Sequence, residues 1–190
     1  LSDLLDEAVK SAGDVVREKN PDLDSSSADA IAEAVGIAAI KYTDLANDRI
    51  KDYVFSFERL LAFEGNTGPY LLNALVRVRS IFRRAAERGI GVAYRSASLT
   101  IAQPAERKLA LALLRYPQTM RAAGAMSEPH RVCALLYDIA SAYSAFYEHC
   151  PVLAAESEAM RDARLRLCDL TGRVLADGLE TLGMPTLERM

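Results

Sequence analysis

The sequence predicts an all-α protein, a helical bundle, on three observations. Apolar residues recur at spacings of three and four along most of the 190 residues. The breaks between these stretches carry proline, glycine, serine and aspartate, the residues that start and stop helices. One stretch alone, Asp52 to Phe63, opens with a run of β-formers, so the bundle holds at most one short extended segment, followed by a turn of helix.

The elements follow in order. Ser2 caps a helix through about Lys19, whose stripe is Leu4, Leu5, Ala8, Val9, Ala12, Val15 and Val16, and Asn20-Pro21 ends it. The run Asp24-Ser25-Ser26-Ser27 is a loop and cap; Ala28 to about Asp44 is the next helix, burying Ile37, Ala38, Ile40 and Tyr42. After Gly65, Thr67 or Gly68 caps a helix with Pro69 in its first turn, where a missing amide hydrogen costs nothing. That helix runs to about Arg88 on a buried stripe of Leu71, Leu75, Val78, Phe82 and Ala85. Its five arginines divide: Arg77, Arg84 and Arg88 share one flank, Arg79 and Arg83 the other. Further helices run from Pro104 to about Leu114, Gln118 to Ala125, Glu128-Pro129 to about His149, and Glu156 to Leu182, before the tail Gly183 to Met190.

An apolar content of 51% can fill a core. No window approaches the roughly 18 to 20 apolar residues that a spanning helix needs, and no signal segment opens the chain, which predicts a cytoplasmic protein without a membrane partner. Cys133, Cys150 and Cys168 are widely spaced in apolar surroundings and read as reduced core residues. The net charge of −3 hides a division: residues 1–65 carry 7 Lys and Arg against 14 Asp and Glu, residues 66–122 carry 10 against 2, and residues 123–190 carry 6 against 10. A basic block between acidic ones points to a polyanion such as nucleic acid, or to a basic face paired with acidic neighbours in the same fold.

An enzyme's constellation is missing from this pattern. His130 and His149 are the only histidines, and His149 beside Cys150 points in a different direction on a helix. No cluster has metal spacing. Gly65-Asn66-Thr67-Gly68 lacks the lysine and the preceding strand of a phosphate loop. No catalytic residue and no metal ligand is assigned.

A set of motifs carries more. Gly36 to Arg49, Asp52 to Leu61, Phe63-Glu-Gly-Asn-Thr-Gly-Pro-Tyr70, Arg77-Val-Arg-Ser-Ile81, Leu113-Leu-Arg-Tyr-Pro117 and the ending Glu188-Arg189-Met190 resemble, in order, the arginyl-tRNA synthetases, a class I family. The resemblance implies a bundle of the class I synthetase anticodon-binding type. It implies that residues 1–62 are the helical end of the catalytic module, just after its Lys-Met-Ser-Lys-Ser-like loop, and that residues 63–190 are the DALR anticodon-binding domain. The parent would attach arginine to tRNA(Arg) using ATP, with Mg2+. Its two nucleotide-site motifs are not found in this chain, and Leu1 is not an initiator methionine, so the chain reads as an inactive fragment that binds the tRNA anticodon stem-loop and no DNA; L-arginine and ATP are partners of the parent.

The same resemblance implies site residues. Tyr70 matches a family aromatic that touches the anticodon loop, and Asn73 falls where relatives carry a second one, replacing a ring by an amide. A third falls on Tyr147, and the terminal Met190 reaches the same loop. Arg77 joins these, while Arg84 and Arg88 suit phosphates, since an anticodon reader needs cations for the backbone and flat groups for unstacked bases. Each has a plainer role beside it: Tyr147 as a half-buried helix tyrosine, Met190 as a free end, Tyr70 as a packing residue, Arg77 as an ion-pair partner. A reading from another class is an all-α interaction module that docks an acidic protein through its arginines.

Overall fold

The computed structural model describes residues 2–190 as eight α-helices and one 3-10 turn, with no strand among them. Helices α1 (Ser2–Lys19) and α2 (Ser25–Ala46) form a hairpin, and α3 (Phe57–Leu60) is a single turn. The basic helix is α4 (Gly68–Glu87), followed by the 3-10 turn Val92–Ser96. Then come α5 (Pro104–Leu114), α6 (Tyr116–Met126), α7 (His130–His149) and α8 (Glu158–Thr181). No helix among the described residues is long and apolar enough to cross a membrane.

The boundaries differ from the sequence reading where caps compete. Asp24 caps α2, its carboxylate accepting from the Ser27 amide at 3.0 Å, so the three serines form the first turn and not the loop. Helix α6 opens at Tyr116-Pro117 and not at Gln118, because proline in a first turn gives up no helical hydrogen bond. The β-formers at Tyr53, Val54 and Phe55 remain exposed coil without a strand partner. In α2, Ala38 and Tyr42 are buried as expected, but Ile37 and Ile40 are only half-buried.

One contiguous core runs through the whole bundle, from Ala12, Val16 and Ile31 to Leu72, Leu136, Phe146 and Leu175. Burying a leucine of this kind contributes about 1.5 to 3 kcal/mol. Of the predicted α4 stripe, Leu71, Leu75, Val78 and Ala85 are buried, and Phe82 packs half-buried on Tyr94 with ring centroids 5.4 Å apart. The three cysteines are buried free thiols. Burial pushes Cys133 up to about 12, so it stays protonated and packs as a small apolar group.

Two features position α4. A β-carbon at Gly68 would lie 2.5 Å from the Ala38 carbonyl oxygen, so only glycine lets the start of α4 touch the α2 backbone. Beside it Thr67 caps the helix: its hydroxyl accepts from the Tyr70 amide at 3.2 Å and donates to the Ala62 carbonyl at 2.6 Å.

Candidate nucleic-acid interface

Position on the helix decides what each arginine does. Arg79 donates to the Leu187 carbonyl at 2.6 Å and to the Thr186 hydroxyl at 3.3 Å, and pairs with the Glu188 carboxylate at 3.1 Å. Arg83 donates to the Glu188 carbonyl at 2.7 Å. With Lys41 donating to the Gly183 carbonyl at 2.5 Å, these cations strap the C-terminal tail to α2 and α4. Sequence reasoning missed the strap. The signal was the i, i+4 pair of arginines on the flank away from Arg77.

The other flank is free for an outside partner. Residues 70, 73, 77, 84 and 88 repeat at three, four and seven, which puts them in one row along α4. Among the described residues no hydrogen bond or ion pair occupies the guanidinium of Arg77 or Arg84, and both are exposed. Arg88 is exposed too and gives one donor to the Leu153 carbonyl at 3.2 Å, leaving the rest of its fork. Tyr70 begins the row half-buried, its ring 5.7 Å from that of Tyr137 and its hydroxyl 3.2 Å from the Ser144 hydroxyl. Asn73 follows it, half-buried, and makes no side-chain hydrogen bond among the described residues.

Helix α7 supplies the aromatic neighbour. Tyr147 is 41% exposed, and its ring sits 6.1 Å from that of Tyr143, which is fully buried. Tyr147, Arg84 and Arg88 line one pocket of about 350 Å3, with Glu148 and Leu153 in its wall. Burial, then the neighbouring Cys168 and Tyr147, raises the Tyr143 phenol well above its ordinary value against the pull of Arg77, so it remains neutral. Met190 is outside this row. It follows the strapped residues Thr186 to Glu188 and packs half-buried against the core.

A second charged cluster is wholly internal. Arg164 is paired with Glu106 at 2.7 Å and donates to the Pro151 carbonyl at 2.8 Å. Glu106 is 1% exposed and also accepts from the amides of Ala102 and Gln103 at 2.7 and 2.9 Å, closing the start of α5. Burial works to raise the Glu106 carboxyl, but Arg164 and the two amides outweigh it and hold it below the usual carboxylate value. The spacing of Gln103 and Glu106 around Pro104 was the legible sign of a cap; the partner 58 residues away was not.

Fold and row together define an all-α module that presents cations and an aromatic ring on one face. Residues 71–190 match the family described as "DALR anticodon binding domain", and the chain belongs to it. Residues 1–57 match the family "tRNA synthetases class I (R), catalytic domain". The chain is 50% identical over 192 aligned positions to an arginine–tRNA ligase of Stutzerimonas stutzeri, covering all of this chain and 32% of that protein. Among solved structures it is similar to an arginyl-tRNA synthetase of Thermus thermophilus, with a TM-score of 0.86 and 33% identity over all of this chain and 32% of the other. The Plasmodium falciparum enzyme gives a TM-score of 0.86 at 30% identity, again over the whole chain and 33% of that protein. The chain thus spans about a third of the length of these relatives.

Proposed function

We propose that this chain reads the anticodon loop of an arginine tRNA as part of a longer, cytoplasmic arginine–tRNA ligase. The observation that carries the reading is the row on α4: Arg77 and Arg84 have no hydrogen-bond or ion-pair partner among the described residues, and Arg84 lines one pocket with the exposed ring of Tyr147, in a chain of the anticodon-binding family. Cations unpaired within the protein are available to phosphates, and an exposed ring offers a stacking face to an unstacked base. In this reading Arg84 and Arg88 hold the loop backbone, Tyr147 and Tyr70 contact bases, and Asn73 and Arg77 bond base edges or adjacent phosphates. Met190, held on the strapped tail, adds an apolar contact if the loop reaches round α4. ATP with Mg2+, and arginine, are used elsewhere in the longer protein.

All arginine anticodons share C at the middle position, so a reader that accepts every one has reason to inspect that base. The test is fluorescence anisotropy of the chain with an arginine tRNA anticodon stem-loop, beside the same stem-loop with the middle C changed to G. Binding lost on that change is expected. Equal binding to both leaves only a charged surface, and binding to neither favours the runner-up, an acidic protein partner. Binding through Z loop phosphates should fall with salt at a log-log slope near −0.7Z.

A further inference from the structure

Helix α5 turns its only carboxylate inward. Glu106 is enclosed and paired with Arg164, and Leu109, Ala112 and Leu113 are buried with it. The outward positions are Pro104, Arg107, Lys108, Leu111, Leu114 and Arg115, related by spacings of three and four, and all of them are exposed. Leu111 lies at the centre of this face and is 50% exposed, while Leu114, one turn on, is 75% exposed. Arg107 and Leu114 lie to one side of Leu111, Lys108 and Arg115 to the other. Among the described residues the side chains of Arg107 and Lys108 make no hydrogen bond or ion pair, and Arg115 gives one donor to the exposed Asp138 carboxylate at 2.8 Å. The segment that leads into the helix exposes Leu99 and Ile101 as well.

One exposed leucine is ordinary on a protein surface. Two of them a turn apart, amid three cations and with no exposed acid on the same helix, form a stripe of the kind that receives another helix. The core side of α5 is already packed on α7 and α8. RNA is a poor match for the outward side, because none of its residues carries a ring on which a base could stack. A lipid surface is a poor match too, since a helix in a membrane interface sinks a broad apolar face and this stripe holds only Leu111 and Leu114. The complement is a helix whose own leucines meet these two and whose acidic flanks meet the cations.

We propose that the outward face of α5 docks an amphipathic helix of another protein, one with acidic residues bordering a leucine stripe. Leu111 and Leu114 supply the apolar contact, and Arg107, Lys108 and Arg115 set the orientation and the speed of encounter. Two helices meeting here bury a small area, so the complex is weak and exchanges quickly. The face shares no residue with the α4 row, and the inference does not depend on the anticodon reading.

The test is an NMR titration of the isotope-labelled chain with a designed peptide of about 18 residues, long enough to form a helix, with leucines at spacings of three and four and glutamates on both flanks. Amide shifts centred on residues 99–115 are expected. The pair Leu111→Ser and Leu114→Ser should weaken binding about tenfold or more, and the pair Arg107→Gln and Lys108→Gln several-fold, with a shallower salt dependence. Both leucines are exposed, so the serine variant should melt like wild type and bind the anticodon stem-loop unchanged. Peptides with serine for leucine, or lysine for glutamate, should leave the spectrum unaltered. Shifts from either control peptide overturn the proposal, as do shifts centred on α4, wild-type affinity in the serine variant, or no shifts up to about 1 mM peptide. Dimerisation of the chain through α5 would assign the face to a second copy, and shifts of the same amides with the stem-loop or with phosphatidylserine vesicles would assign it to RNA or lipid; each of these also overturns the acidic helix.

Discussion

The two flanks of α4 carry the same residue type to opposite ends. Arg79 and Arg83 find carbonyls, a hydroxyl and a carboxylate in the C-terminal tail, while Arg77 and Arg84, two and one residues away in sequence, face outward with no internal partner among the described residues. Arg164 extends the first class to its limit, being 5% exposed and bonded to Glu106 and Pro151. An arginine count therefore says little about binding. Which arginines the fold has already used decides how many remain for a partner, and the net +8 of residues 66–122 overstates the available charge.

The largest effect should come from breaking the buried pair. Arg164→Ala leaves Glu106 charged and enclosed, and should cost about 3 to 5 kcal/mol of stability in urea unfolding. The same pair sets a pH dependence. The folded Glu106 pKa is depressed, so its contribution is present above its ordinary value of 4.5 and is lost as pH falls through the lower folded value. Acid melts of wild type and Glu106→Gln should then converge, with the wild-type advantage confined to higher pH; an advantage that grows in acid would contradict the pairing.

Next in size is the tail strap. Arg79→Ala removes two hydrogen bonds and a partly exposed ion pair, and should cost roughly 1 to 2 kcal/mol. Its signature is faster amide exchange in residues 184–190, with stem-loop affinity changing only through Met190 if that side chain touches the loop. Smallest in stability is Arg84→Ala, which should stay within about 0.5 kcal/mol of wild type. It should weaken every stem-loop alike and make the salt slope shallower by about 0.7. If Arg84→Ala destabilises the fold and Arg79→Ala weakens RNA binding instead, the contrast between the flanks is wrong. Tyr147→Ala sharpens it from the aromatic side, with about 1 to 3 kcal/mol lost in binding and little in melting temperature.

Much of this was legible along the chain. The spacing of Leu71, Leu75 and Val78 announced the buried face of α4, and Thr67, Gly68 and Pro69 announced its start, because caps and periodicity act within a turn or two. The row of Arg77, Arg84 and Arg88 followed from the same geometry. The β-formers at Tyr53, Val54 and Phe55 misled, since their propensity is expressed only where a neighbouring strand exists, and the bundle offers none. Ile37 and Ile40 lie at the edges of the α2 contact and not at its centre, where the small Ala38 permits the approach of Gly68.

The sequence by itself determined the helices, their order, the basic character of α4 and the family to which the motifs belong, because each is encoded by neighbours within a few residues or by ordered motifs. Only the tertiary structure decided which charges remain free. The tail reaches Arg79 and Arg83 from more than 100 positions away, and Arg164 reaches Glu106 across 58. Such pairings depend on how helices pack, and a side chain's charge is available to a ligand only after those distant partners have taken their share.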